Sequence, residues 1–231
     1  MTLDTVLSKL HELAEPEKVL FKQQKFGVIA NNALGIYHKH LKILAKEIGV
    51  DNNLAIQLFD TNIYEARLLC SKIYNPKTLT NALLEKWVVT FENWEIVDSF
   101  CMALVAKSKF ALPKIHEWTK RELEFEKRSG FTTMAAYCMA DKIANNTIFE
   151  SFFPIIENNA YDDRIYVKKA VNWALRSIGK RNKDLNVLAI NSARRILKQS
   201  TKSAKWIAND ALKELQNAPR ISDYPRHIYR P

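Results

Sequence analysis

In the stretch FENWEIVDSFCMALV, residues 91–105, one carboxylate stands among apolar and aromatic side chains. Phe91, Trp94, Cys101, Met102 and Val105 lie seven, four, three, four and seven positions from Asp98, offsets that share one face of a helix. An unpaired carboxylate is expensive to keep in such a stripe. Two readings are open. Asp98 pairs with an Arg or Lys of another helix and holds the fold together, or it stands at the rim of a cleft and faces a cationic substrate or transition state. Trp94, one turn earlier, is either core or an aromatic wall of the same site.

A second constellation lies in DDRIYVKKAVNWALRSIGKR, residues 162–181. Tyr166, Lys169, Trp173, Arg176 and Lys180 follow helical offsets and form a basic and aromatic stripe, while Val167, Ala170, Val171, Ala174 and Ile178 make the opposite, apolar face. Aromatic rings among cations suit nucleic acid, because rings pack on sugars or bases while cations meet phosphates. The plainer alternative is a solvated face with Trp173 under Lys and Arg stems. Arg128, in EFEKRSG, has the i,i+4 spacing of an ion pair with Glu124. Trp118 and Trp206 have no comparable context and are assigned to the core. His38 and His40 are two apart, so they do not share a helix face and read as surface residues.

Other chemistries find no support. The chain has no Gly-rich phosphate loop, no dinucleotide fingerprint, no HExxH and no GxSxG elbow. No cofactor and no metal site are expected.

The elements that must carry these residues are helical. Only five glycines and seven prolines occur in 231 residues, and apolar residues recur at helical spacing throughout. Helical patterns fall near 51–58, 62–74, 77–91, 93–107, 112–126, 128–145, 147–158, 161–180, 184–199 and 202–217, with Pro76, Pro113 and Pro154 at first-turn positions. The pairs 112–145, 147–180 and 184–217 begin roughly 35 residues apart, near the period of helical solenoids. This predicts an all-α curved array of stacked antiparallel helix pairs, one domain over 1–217, with a basic, irregular tail at 218–231. The opening MTLDTVLSKLHELAEPEK is amphipathic and carries acids, so it does not read as a signal peptide. No apolar run is long enough to span a bilayer. Three widely spaced cysteines, Cys70, Cys101 and Cys138, read as buried thiols of a cytoplasmic protein.

The net charge of +10 is unevenly divided. Residues 164–231 hold 16 Lys+Arg against 4 Asp+Glu, whereas the preceding 163 hold 19 against 21. All the excess positive charge therefore lies in the last third, which points to a polyanionic partner, nucleic acid before membrane.

Taken together, these segments resemble the HEAT-like-repeat DNA alkylation repair family, whose members are alkylpurine DNA glycosylases. NWEIVD is similar to that family's Trp-x-x-x-Asp catalytic motif and places Trp94 and Asp98 on its aromatic and its acid. FEKRSG, preceded by IHEWTK, resembles its arginine segment, with Arg128 the match. YVKKAVNWALRSIGK resembles the helix bearing a second DNA-contacting tryptophan, here Trp173. FGVIANNALGIYHKHLKILAKEIG and AKWIANDALKEL are similar to its N-terminal block and C-terminal helix, so the likeness covers roughly 20–217. Two departures stand out: Asn93 precedes Trp94 where tandem tryptophans are common, and Lys127 precedes Arg128 where a second arginine is common.

The resemblance implies a monofunctional, monomeric glycosylase that excises positively charged N3- or N7-alkylated purines from double-stranded DNA in base excision repair at the nucleoid. Asp98 and Trp94 would be its catalytic residues; Trp173, Arg128, Lys169, Arg176, Lys180 and Tyr166 would hold DNA. The alternative is a helical-repeat module that binds nucleic acid without catalysis.

Overall fold

In a computed structural model of the chain, residues 1–217 are described; the basic tail expected at 218–231 lies outside the described residues. Those residues form fourteen α-helices and no strand, in two compact units, the first Met1–Ala111 and the second beginning at Leu112.

The first unit contains α1 (Leu3–Glu12), α2 (Pro16–Phe26), α3 (His38–Ile48), α4 (Asn52–Asp60), α5 (Tyr64–Ile73), α6 (Asn81–Val88) and α7 (Trp94–Ala103). Several helices begin on a polar side chain that accepts an otherwise orphaned N–H. Asp51 accepts from Leu54, Thr80 from Leu83, and Asn93 from both Glu95 and Ile96, each cap contributing about 1 kcal/mol. Helix α5 is the centre of the unit and is buried along nearly its whole length. It packs on α3, α4 and α7. Tyr64 at its start bonds Asn93 at the start of α7, and Ser71 bonds Ser99 about two turns further along both, so the two helices run parallel. Beneath them, Trp87, Phe59, Phe91 and Phe100 interlock as an aromatic core. The buried Glu65 carboxylate accepts N–H groups from Leu34, Gly35 and Ile36 and so fastens the long connection between α2 and α3.

The second unit holds α8 (Ala111–Trp118) from its second residue on, then α9 (Glu124–Ala140), α10 (Asn146–Glu150), α11 (Phe152–Asn159), α12 (Ile165–Gly179), α13 (Lys183–Leu197) and α14 (Lys202–Gln216). Helix α12 packs on α9, α13 and α14. Arg128 meets Tyr166, Asn172 meets Asp210 and Arg176 meets Glu214, always 38 residues on. The same interval links Glu157 of α11 to Arg195 of α13. Helices α9, α12 and α14 therefore form one layer of parallel helices and α11 and α13 another, which is the architecture of stacked helix pairs.

Two helix boundaries differ from the sequence patterns. The run 112–126 is not one helix. Helix α8 stops at Trp118, the chain turns back through Lys120 N–H to Glu117 O and Arg121 N–H to Trp118 O, and α9 starts at Glu124. Gly130 of α9 lies directly on that turn: a Cβ there would stand 2.5 Å from the Thr119 nitrogen. The run 147–158 is likewise split at Ser151 into α10 and α11. Pro154 has no N–H to donate four residues back, and its ring crowds the carbonyl there, so a continuous helix cannot pass.

Candidate functional site

Asn93 ends the loop before α7 and its side chain fixes the first turn, so Trp94 is the first helical residue and Asp98 follows one turn later on the same face. Both are half-buried. The stripe around them is mixed: Phe91, Cys101 and Val105 are buried, while Met102 is exposed. Asp98 thus stands at the margin of the apolar core. The indole of Trp94 is held in place by its Nε1–H, which donates to the Phe26 carbonyl at 2.9 Å.

Trp94 is also one wall of a cleft of about 430 Å³ in the first unit, lined further by Phe26, Val28 and Tyr37, with Lys39 at its edge. Its floor is an ion cluster. Lys22 Nζ donates to Glu95 at 2.8 Å, His38 Nε2 lies 3.1 Å from the other Glu95 oxygen, and the Tyr64 hydroxyl donates to Glu95 at 2.8 Å. Burial opposes ionisation of Glu95, yet the His38 hydrogen bond and the Lys22 ammonium outweigh it and hold the carboxyl at about 2. Burial and the Glu95 charge push the Tyr64 phenol far up, so it remains a neutral donor. His38, assigned to the surface from its spacing, is instead a half-buried member of this cluster.

In the second unit Arg128 is 5% exposed. Its Nη1 donates to the Tyr166 carbonyl at 2.8 Å, while Glu124 accepts the Tyr166 N–H at 3.1 Å. The two residues four apart on α9 thus grip the start of α12 by its backbone. Tyr166 packs its ring on Phe125 at 5.4 Å. Beside them Lys127 and Arg164 meet Asp162 at 3.3 and 2.6 Å, so the lysine that departs from the family pattern has an acid of its own.

The stripe on α12 has the predicted order. Lys169 is exposed, and Tyr166, Trp173, Arg176 and Lys180 are half-buried. Arg176 and Lys180 both reach Glu214 of α14, the latter at 2.6 Å. Burial opposes ionisation of Glu214, but the Lys180 and Arg176 contacts outweigh it and lower its pKa. Trp118 is buried as expected, but Trp206 is not core: it is 41% exposed with Lys168 Nζ 5.3 Å from its ring centroid. Helix α14 turns Ala204, Ile207, Ala208, Ala211 and Leu215 inward, and position 206 falls on the other side of that wheel.

Among the described residues no group of three or more His, Cys, Asp or Glu gathers as a metal site, and no helix is long and apolar enough to cross a membrane. What the two units offer is a marginal carboxylate beside a fixed indole, and a helix carrying aromatic and basic side chains. The sequence reading missed Lys22, Glu95 and His38 as a unit and the Lys168–Trp206 pair. An acid directly after Trp94 and the helical period of α14 were the available signals.

Comparison with known proteins places these features. A family model described as DNA alkylation repair enzyme matches residues 6–215. Among solved structures, one described as a new family of proteins related to the HEAT-like repeat DNA glycosylases with affinity for branched DNA structures superposes with a TM-score of 0.74 at 17% identity, covering 98% of this chain and 100% of that one. AlkD2 from Streptococcus mutans superposes with a TM-score of 0.55 at 19% identity, covering 86% and 97%. At these identities the likeness establishes the fold, a HEAT-like array of helix pairs. Among curated proteins no sequence matches.

Proposed function

The chain belongs to the DNA alkylation repair enzyme family, and from that premise we propose that it is a monofunctional DNA glycosylase excising N3- or N7-alkylated, positively charged purines from double-stranded DNA. It would act as a monomer, in the cytoplasm on nucleoid DNA. The observation that carries this reading is the place of Asp98: at the margin of the apolar face of α7 it is half-buried, one turn from a half-buried, hydrogen-bonded Trp94.

An alkylated purine of this kind already carries a positive charge, so it leaves without a strong general acid. Positive charge then grows on the deoxyribose. A fixed carboxylate stabilises that oxocarbenium character and orients a water toward the anomeric carbon, and the face of an indole favours the same cation. In this reading Asp98 is the electrostatic catalyst and Trp94 the ring beside the sugar. Trp173, Tyr166 and Lys169 on α12 contact the DNA, with Arg176 and Lys180 adding positive charge for phosphates, while the buried Arg128 acts through the start of α12, whose backbone it holds.

The test is base release from methylated DNA. Asp98→Asn should lower release of 7-methylguanine and 3-methyladenine by about 10²-fold or more while DNA binding persists; release at the wild-type rate excludes Asp98 as catalyst. A second reading, binding without catalysis, is favoured by the branched-DNA affinity ascribed to the family of one structural relative. Release by the wild-type protein above the spontaneous rate would remove it.

A further inference from the structure

Helix α2 is inside out. Lys22 is its buried residue, while Leu20, Phe21 and Phe26 are exposed at 62%, 40% and 47%. Ordinary amphipathic helices bury the apolar side chains and expose the lysines, so this inversion needs a reason. Half of it is internal: Lys22 turns inward to meet Glu95. The outward half is an aromatic platform. Phe21 and Phe26 meet edge to face at 5.8 Å, and Lys25 Nζ lies 5.1 and 5.7 Å from their ring centroids.

Phe26 belongs at once to this platform and to the neighbouring cleft, whose other aromatic walls are Tyr37 and Trp94. Lys39 Nζ lies 5.9 Å from the Tyr37 ring centroid. Aromatic rings thus line both the platform and the cleft, with one ammonium beside Phe21 and Phe26 and another beside Tyr37. A volume of about 430 Å³ is in the range of small-molecule sites. The one carboxylate on the floor, Glu95, is already taken by Lys22, His38 and Tyr64, so the cleft offers no free anion to a cationic guest. Flat π-faces framed by cations match a ligand that alternates aromatic rings with negative charges.

We propose that this cleft and the Phe21–Phe26 platform bind unpaired nucleotides of a DNA strand, bases on the Phe26 and Tyr37 rings and phosphates at Lys25 and Lys39. The inference rests on the reading of the chain as DNA-binding and is independent of base excision. Stacking on aromatic side chains tolerates any base, so the site takes single-stranded segments without sequence preference.

Binding of a fluorescently labelled single-stranded oligothymidylate by the full chain tests this. The wild type should bind it, and Phe26→Ala and Tyr37→Ala should each weaken binding about tenfold, the scale of one lost stacking contact. Lys39→Glu, an exposed substitution that leaves the aromatic walls in place, should weaken binding and flatten its salt dependence. Absence of oligothymidylate binding, or equal affinity in all four proteins, overturns the proposal. So does a concentration-dependent dimer that Phe26→Ala dissociates, since a second copy would then cover the platform. Asp98→Asn should bind the oligonucleotide as the wild type does. Absence of base release by the wild-type protein with intact oligonucleotide binding would thus count against excision alone, and base release without oligonucleotide binding against the cleft alone.

Discussion

Glu95 is a carboxylate that the fold keeps ionised, and its pH response follows from that. Its pKa falls from 4.5 to about 2 on folding because the His38 hydrogen bond and the Lys22 charge overcome burial. A group held down in the folded state stabilises the protein above its unfolded pKa, and the contribution disappears as pH drops toward the folded one. The window is therefore pH 4.5 down to about 2. At about 1.4 kcal/mol per pH unit, the stake is on the order of 3 kcal/mol. Urea unfolding should show wild-type stability falling across this window, with Glu95→Gln less stable at neutral pH and flatter below pH 4.5. Equal slopes for the two proteins would mean that Glu95 contributes nothing to acid stability. None of this was legible locally, because Lys22, His38 and Tyr64 come from sites 31 to 73 positions away. Asp98 and Trp94 were legible, since i and i+4 on one helix are neighbours in any fold.

Helix existence was likewise readable from apolar period, but the ends were not. A boundary depends on what lies across from it, and Gly130 shows how: α9 crosses the end of α8 so closely that a methyl group would strike the Thr119 and Trp118 backbone at 2.5 and 2.9 Å. Backbone cannot swing aside as a long side chain can. Gly130→Ala should therefore destabilise the protein by about 1–3 kcal/mol, against the small gain expected of Ala in an open helix; a neutral or stabilising effect in thermal unfolding would contradict this packing. Between α12 and α14 the issue is charge. Arg176 and Lys180 share Glu214, so the predicted stripe carries less free charge than its sequence implies. Glu214→Gln should release Lys180 and leave Arg176 to Asp210, 3.5 Å away, weaken the helix contact, and steepen the fall of DNA affinity with salt by about 1 in log–log slope. An unchanged slope would place Lys180 outside the DNA footprint.

Across the whole chain the distribution of charge decides where a polyanion is held. The excess of cations lies after residue 163, and within the described residues it falls largely on α12, α13 and α14. In the first unit several lysines are already matched, Lys9 to Glu47 at 2.6 Å and Lys86 to Asp60 at 2.7 Å. A duplex held by phosphate contacts releases about 0.9 counterion for each contact, so affinity falls linearly with salt on logarithmic axes and each lost contact lowers the slope by about that amount. Lys169 and Lys205 are exposed, on α12 and α14. Replacing each by Ala should lower the slope by about 1 and weaken duplex binding without regard to sequence. Lys9→Ala and Lys86→Ala should leave the slope where it was, because those charges are spent within the fold. Measured by fluorescence anisotropy between low and physiological salt, equal responses from the two sets would show that the duplex does not lie along α12 and α14, and that the uneven charge serves some other partner.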